Sequence, residues 1–168
     1  MKKIISFILL LYSLTSSGQT IWKSNKYSYY IEIPSGFSIS KNLEGNVDFK
    51  ANYGNKSIVI VIKTLSNKFK KNTLWEDLGN LETYSNEWET FAKEYMNKPK
   101  FLKYGKTTIN DIETFWYDYT TENPKLYSKT YQTKKENIIY TFTLTCDYKD
   151  YNQYSAIWYR FKEKIILN

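Results

Sequence analysis

The 168-residue chain contains no histidine and one cysteine. The missing imidazole removes the side chain that titrates near neutral pH, and with it the usual general base, the common serine or cysteine triad and the commonest zinc ligand. A lone Cys146 excludes an internal disulfide, a thiolate zinc cluster and a CxxC redox pair, so packing must hold the fold. Arginine is nearly missing too: Arg160 is the single guanidinium among 24 basic residues. Phosphate recognition favours that planar fork, whereas dispersed lysines mostly give solubility, so nucleic acid is not an expected partner. Glycine is sparse, and Gly18, Gly36, Gly45, Gly54, Gly79 and Gly105 form neither GxGxxG nor a Walker spacing. No phosphate-cradling loop is expected, and no cofactor or metal site.

What is present begins with an address. Lys2 and Lys3 precede an apolar stretch over residues 4–14, broken only by Ser6, Tyr12 and Ser13, and the small residues Ser16 and Gly18 follow. That order reads as a signal peptide over residues 1–18, since the run is shorter than the about 20 apolar residues that span a bilayer. Residues 19–168 are then the mature chain, a length that suits one domain. No cysteine lies beside the cleavage point to accept a lipid, so the expected protein is soluble, without a membrane anchor, and periplasmic or secreted. Its 17 tyrosines, 9 phenylalanines and 5 tryptophans argue against disorder and for an aromatic core. Formal charge is +7. Glu76, Asp77, Glu82, Glu87, Glu89 and Glu94 face only Lys93 in one segment, which reads as a solvated acidic helix surface beside a lysine-rich sheet rim.

Over residues 27–33, Tyr29, Ile31 and Ile33 alternate with Ser28, Tyr30 and Glu32, the period of a half-buried strand. Pro34-Ser35-Gly36 turns the chain, a short strand is expected over 37–40, and Val47, Phe49, Ala51 and Tyr53 alternate up to a Gly54-Asn55 hairpin turn. Residues 58–62 form an unbroken β-branched run, which predicts a strand covered on both faces at the sheet centre. A polar loop over 63–72 precedes Thr73 and Glu76, which have capping-box spacing. Leu74, Leu78, Leu81, Trp88, Phe91, Ala92 and Tyr95 then recur at helical intervals as far as Met96, in a helix that Gly79 either loosens or splits. Two hairpins follow, 102–108 with 113–120 around Asn110-Asp111, and 126–133 with 138–146 around the polar turn 134–137. In the last strand Ile138, Tyr140, Phe142, Leu144 and Cys146 alternate with Ile139, Thr141, Thr143 and Thr145, and the threonine face predicts an edge or a partly wet surface. Asp150 is placed to cap a closing helix carrying Tyr154, Ile157, Trp158, Phe161 and Ile165.

Two reaction chemistries survive the missing histidine: paired carboxylates, as in glycoside hydrolases, and a serine–lysine dyad. Asp147 and Asp150 lie close in sequence, but a strand-to-helix junction ordinarily uses such residues for turns and caps. Asp118 and Glu122 read as edge-strand and loop charges. Trp75 and Trp116 have the rings to stack on a sugar or peptide, yet their spacing is that of core residues. Cys146, at an inward strand position, reads as a small core side chain. No catalytic, cofactor-binding or metal-binding residue is assigned.

Tyr30-Ile31-Glu32-Ile33-Pro34-Ser35-Gly36-Phe37, Thr107-Thr108-Ile109-Asn110-Asp111-Ile112-Glu113 and the close over 140–146 with its terminal helix resemble the PsbP-like superfamily. The resemblance implies an α+β fold, an antiparallel sheet of about six to seven strands packed between helices in an α/β/α sandwich. Members of the superfamily include photosystem extrinsic subunits, a Ran-binding import factor and bacterial secretion-effector chaperones, mostly binding or assembly proteins. Those that hold metals use histidines and carboxylates, and no functional residue carries over to this histidine-free chain. The expected function is a non-enzymatic binding or assembly factor of the bacterial cell envelope whose partner is another envelope or secreted protein. The alternatives are a secreted hydrolase using paired carboxylates and an immunity or chaperone protein for a secreted effector.

Overall fold

The computed structural model describes residues 20–168, and the signal-peptide reading of residues 1–18 lies outside the described residues. Seven strands form one antiparallel sheet in the order β3 (Ser38–Ile39), β4 (Val47–Tyr53), β5 (Lys56–Thr64), β9 (Ile138–Asp147), β8 (Leu126–Lys135), β7 (Ile112–Thr121) and β6 (Lys100–Ile109). A second sheet sets β2 (Tyr29–Ile33) between β1 (Thr20–Lys23) and β10 (Ile165–Leu167). The helices are α1 (Leu74–Leu78), α2 (Leu81–Ala92) and α3 (Tyr151–Phe161). The seven-stranded antiparallel sheet between helices is the expected α+β arrangement. The three-stranded sheet is an addition, because its outer strands of four and three residues are too short to show a period of two.

The hairpin turns are set by local chemistry. Asn110 and Asp111 hold φ of 49° and 62°, the paired left-handed conformation that lets a two-residue turn follow the twist of β6 and β7. Glu136-Asn137 closes β8 to β9 in the same number of residues, so Lys134 and Lys135 belong to β8 and not to the polar turn expected over 134–137.

One sheet face is covered by α1 and α2. Phe115, Tyr117 and Tyr119 of β7 pack there with Leu74, and Trp75, Tyr84 and Trp88 close around them. Thr73 and Glu76 form the anticipated capping box, and Gly79, at φ 67°, splits the helix before Asn80 caps α2 by accepting from the amides of Glu82 and Thr83. The restart changes the phase. Leu81, Tyr84, Trp88 and Ala92 turn inward, while Phe91 and Tyr95, expected in the buried stripe, are 62% and 72% exposed, and the helix stops at Ala92 and not at Met96.

The other face carries α3 and the small sheet. Trp158 and Phe161 of α3, together with Tyr29, Ile31 and Ile33 of β2, join Phe49, Ile58, Ile60, Phe142, Leu144 and Cys146 in the larger core. The closing helix ends at Phe161, and Ile165 belongs to β10, which pairs with β2. β5 is third in the sheet order, not its centre, and only Ile58, Ile60 and Ile62 are buried while Val59 and Val61 are half-buried. The strands buried on both faces are β7 and β8, because α1 and α2 rest over that end of the sheet. The threonines of β9 mark the partly wet surface and not an edge, since Thr141, Thr143 and Thr145 are half-buried in the fourth of seven strands. Thr143 and Thr145 exchange hydroxyl hydrogen bonds with Thr130 and Ser128 of β8, at 3.0 and 2.8 Å, in the middle of the sheet.

Candidate functional site

Strand register builds the site. Antiparallel pairing sets Lys103 of β6, Asp118 of β7 and Lys129 of β8 abreast, and the next row on the same face is Gly105, Trp116 and Tyr131. Asp118 is fully buried, correcting its reading as an edge-strand charge, because β6 lies outside β7. Lys129 Nζ stands 2.6 Å from Asp118 Oδ1 and Lys103 Nζ 3.5 Å from Oδ2. Both lysine contacts are ion pairs off the line of a good hydrogen bond. Burial first, and the Asp118 carboxylate next, push the Tyr127 hydroxyl far above the usual phenol range, which keeps it neutral beside that charge.

Over this ladder opens a cavity of about 450 Å³, within the size range of small-molecule sites. Tyr151, Ser155 and Tyr159, on successive turns of α3, form one wall, and Trp116, Lys129 and Tyr131 the sheet side. Lys103, Lys106 and Lys162 complete the lining. Lys162 Nζ donates to Thr107 Oγ1 at 2.7 Å, which fixes that ammonium at the mouth. Three ammonium groups, those of Lys103, Lys129 and Lys162, thus gather against one carboxylate, while the Lys106 ammonium turns to Trp75 on the opposite face of the sheet. The sequence reading of dispersed lysines does not show this grouping, since the three lie on two strands, β6 and β8, and beyond α3, and only the register and the helix dock assemble them.

The two tryptophans singled out in the sequence are structural. Trp116 lies against Gly105, where an added Cβ would fall 2.8 Å from the indole, and Lys129 Nζ covers its other side 4.1 Å from the ring centre. Trp75 meets Phe115 edge-on at 5.9 Å, with the Lys106 ammonium 4.2 Å from its ring centre. Cys146 is buried as anticipated, and burial pushes its thiol up to about 11.

Asp147 and Asp150 do come together, but not as caps. Asn55 Nδ2, from the β4–β5 turn, donates to Asp147 at 2.7 Å and to Asp150 at 2.8 Å, and Asp150 makes no side-chain cap on α3. The pair sits on the outer surface, away from the cavity. Glu122 is a loop charge as expected, 3.0 Å from Lys98. Glu113 and Glu136 line a separate depression of about 200 Å³, but both are exposed and Glu136 is paired with Lys70 at 3.1 Å. Among the described residues no lysine amine is hydrogen-bonded to a serine hydroxyl, and Ser155 Oγ donates to the Asn152 carbonyl within α3. No group of three or more metal-ligating side chains converges among the described residues.

No protein-family model and no curated protein matches the sequence. Solved structures do match. The cyanobacterial PsbP protein CyanoP from Synechocystis superposes with a TM-score of 0.72 over 90% of this chain and 94% of its own, at 10% identity. LpqN of Mycobacterium tuberculosis, described as involved in cell envelope biogenesis, matches with a TM-score of 0.56 over 90% and 91% of the two chains at 6% identity. PA94 of Pseudomonas aeruginosa matches over 89% and 97% at 15% identity, with a TM-score of 0.50. No helix among the described residues is long and apolar enough to cross a membrane. At these identities the likeness is one of architecture, and the chain has the PsbP-like fold.

Proposed function

We propose that the chain is an exported, non-enzymatic binding or assembly factor of the bacterial cell envelope, acting on another envelope or secreted protein. The observation that carries this reading is the Lys103–Asp118–Lys129 ladder beneath an open cavity: the one carboxylate there is held between two ammonium groups, and no second carboxylate lines the space. Paired-carboxylate hydrolysis needs two such groups about 5 to 10 Å apart across a substrate cleft. Asp147 and Asp150 share an amide on the outer surface instead. The leader-like residues 1–18 and the involvement of LpqN, which shares the architecture, in cell envelope biogenesis support the cellular setting.

The test is fractionation followed by crosslinking in intact cells. The processed chain is expected outside the cytoplasm, repeatedly joined to one envelope or secreted protein. Recovery in the cytosol with Met1 intact, or hydrolysis of glycosides by the purified protein that Asp118→Asn abolishes, would overturn the proposal.

A further inference from the structure

The α3 cavity has features that a purely structural seam does not need. Its ammonium groups are aimed and held: Asp118 anchors Lys129 and Lys103 from below, and Thr107 anchors Lys162 at the mouth. Lys129 is only 12% exposed, so its charge is partly stripped of water and attracts an anion more strongly than a free surface lysine does. The net charge of the lining favours an anion and repels a metal cation or an amine. The volume of about 450 Å³ fits a ligand of one or two rings. Tyr151 and Tyr159 supply ring faces and hydroxyl tips along one wall, the kind of surface that packs on a sugar ring while leaving its hydroxyls hydrogen-bonded.

We infer that this cavity binds a small ring-bearing anion, a sugar carrying a carboxylate or a phosphate. The anionic group lies among Lys129, Lys103 and Lys162, and the ring rests against the α3 tyrosines. Asp118 is a positioning residue that touches the lysines and not the ligand. The inference rests on the reading of this face as a binding site, and it adds the chemistry of what is bound.

The test is an NMR and calorimetric titration of protein purified after expression from its full sequence, with glucuronate, glucose 6-phosphate, glucose and inorganic phosphate as probes. Both sugar anions are expected to saturate one site, with glucose and inorganic phosphate each at least about tenfold weaker. Raising the salt concentration should weaken binding. Lys162→Met and Lys129→Met are each expected to weaken the sugar anions about tenfold, and Lys41→Met, outside the cavity, to change nothing. Lys129→Met leaves the buried Asp118 with Lys103 alone and so perturbs the fold as well, whereas Lys162→Met leaves the ladder intact and keeps the test decisive. Absence of saturable binding by either sugar anion, equal affinity for glucose, equal affinity for inorganic phosphate, or equal weakening by Lys41→Met overturns the inference. Conversion of a bound sugar anion to product, seen in the same spectra, overturns the non-enzymatic reading while leaving the site assignment standing.

Discussion

β8 sends two lysines to opposite faces of the sheet, and each meets an inward aspartate. Beneath α1, Lys134 Nζ donates to Asp77 Oδ2 at 2.6 Å and to the carbonyls of Phe69 and Asn72 at 2.6 and 2.7 Å, which uses all three of its protons. Asp77 in turn accepts from Asn72 Nδ2 at 3.0 Å. On the α3 side, Lys129 has one carboxylate oxygen, two ring faces and an open cavity. A saturated ammonium is a staple between helix and sheet. An unsaturated one beside a cavity keeps donors free, and identical residue types on one strand thus differ through the number of acceptors that surround them.

The sharpest way to break this comparison is to remove the partner on the saturated side. Asp77→Ala leaves a buried charge without its counterion and is expected to cost about 3–5 kcal/mol in denaturant unfolding. Gly105→Ala pushes a methyl into the rigid Trp116 indole, which Lys129 blocks from above, and is expected to cost about 1–3 kcal/mol. Asp118→Asn is expected to cost only about 1 kcal/mol, because the released Lys129 ammonium turns into the cavity and keeps its water. If Asp118→Asn and Asp77→Ala destabilise equally, the contrast between the two pairs is wrong.

The smallest effect lies at the alkaline edge. Burial raises Tyr119 and, far more, Tyr117 above the ordinary 10.0, and Cys146 from 9.0 to about 11. The unfolded chain therefore loses these protons first. The contribution of these groups should be constant below about pH 9 and decline as pH rises through the range between unfolded and folded values. Urea midpoints across that range check it, and a midpoint unchanged above pH 10 would show that these rings are not held dry.

Much of the sheet is legible in the chain. Alternation located β2, β4, β7 and β9, Asn110-Asp111 and Gly54-Asn55 marked their turns, and Thr73 with Glu76 marked the start of α1. The errors share a cause. Strand coverage, the inward phase of α2 after Gly79 and the fate of Ile165 each depend on which distant element arrives overhead, and no local period records that. Tyr84 illustrates it: its T-shaped contacts to Phe115 and Tyr117, at 5.4 and 6.3 Å, place it against the smaller core only once α2 has restarted at Asn80.

The site was the least visible part. Lys103, Asp118 and Lys129 sit on strands the sequence identifies, but their adjacency is a property of register, and α3 closes the cavity from beyond the end of the sheet. The residues by themselves determined the missing histidine chemistry, the lone thiol, the alternating strands and the hairpin turns, because these follow from side-chain type and from neighbours a few positions away. Tertiary structure decided which lysines are saturated and which face an open cavity, because desolvation and the count of hydrogen-bond acceptors are set by groups far apart along the chain.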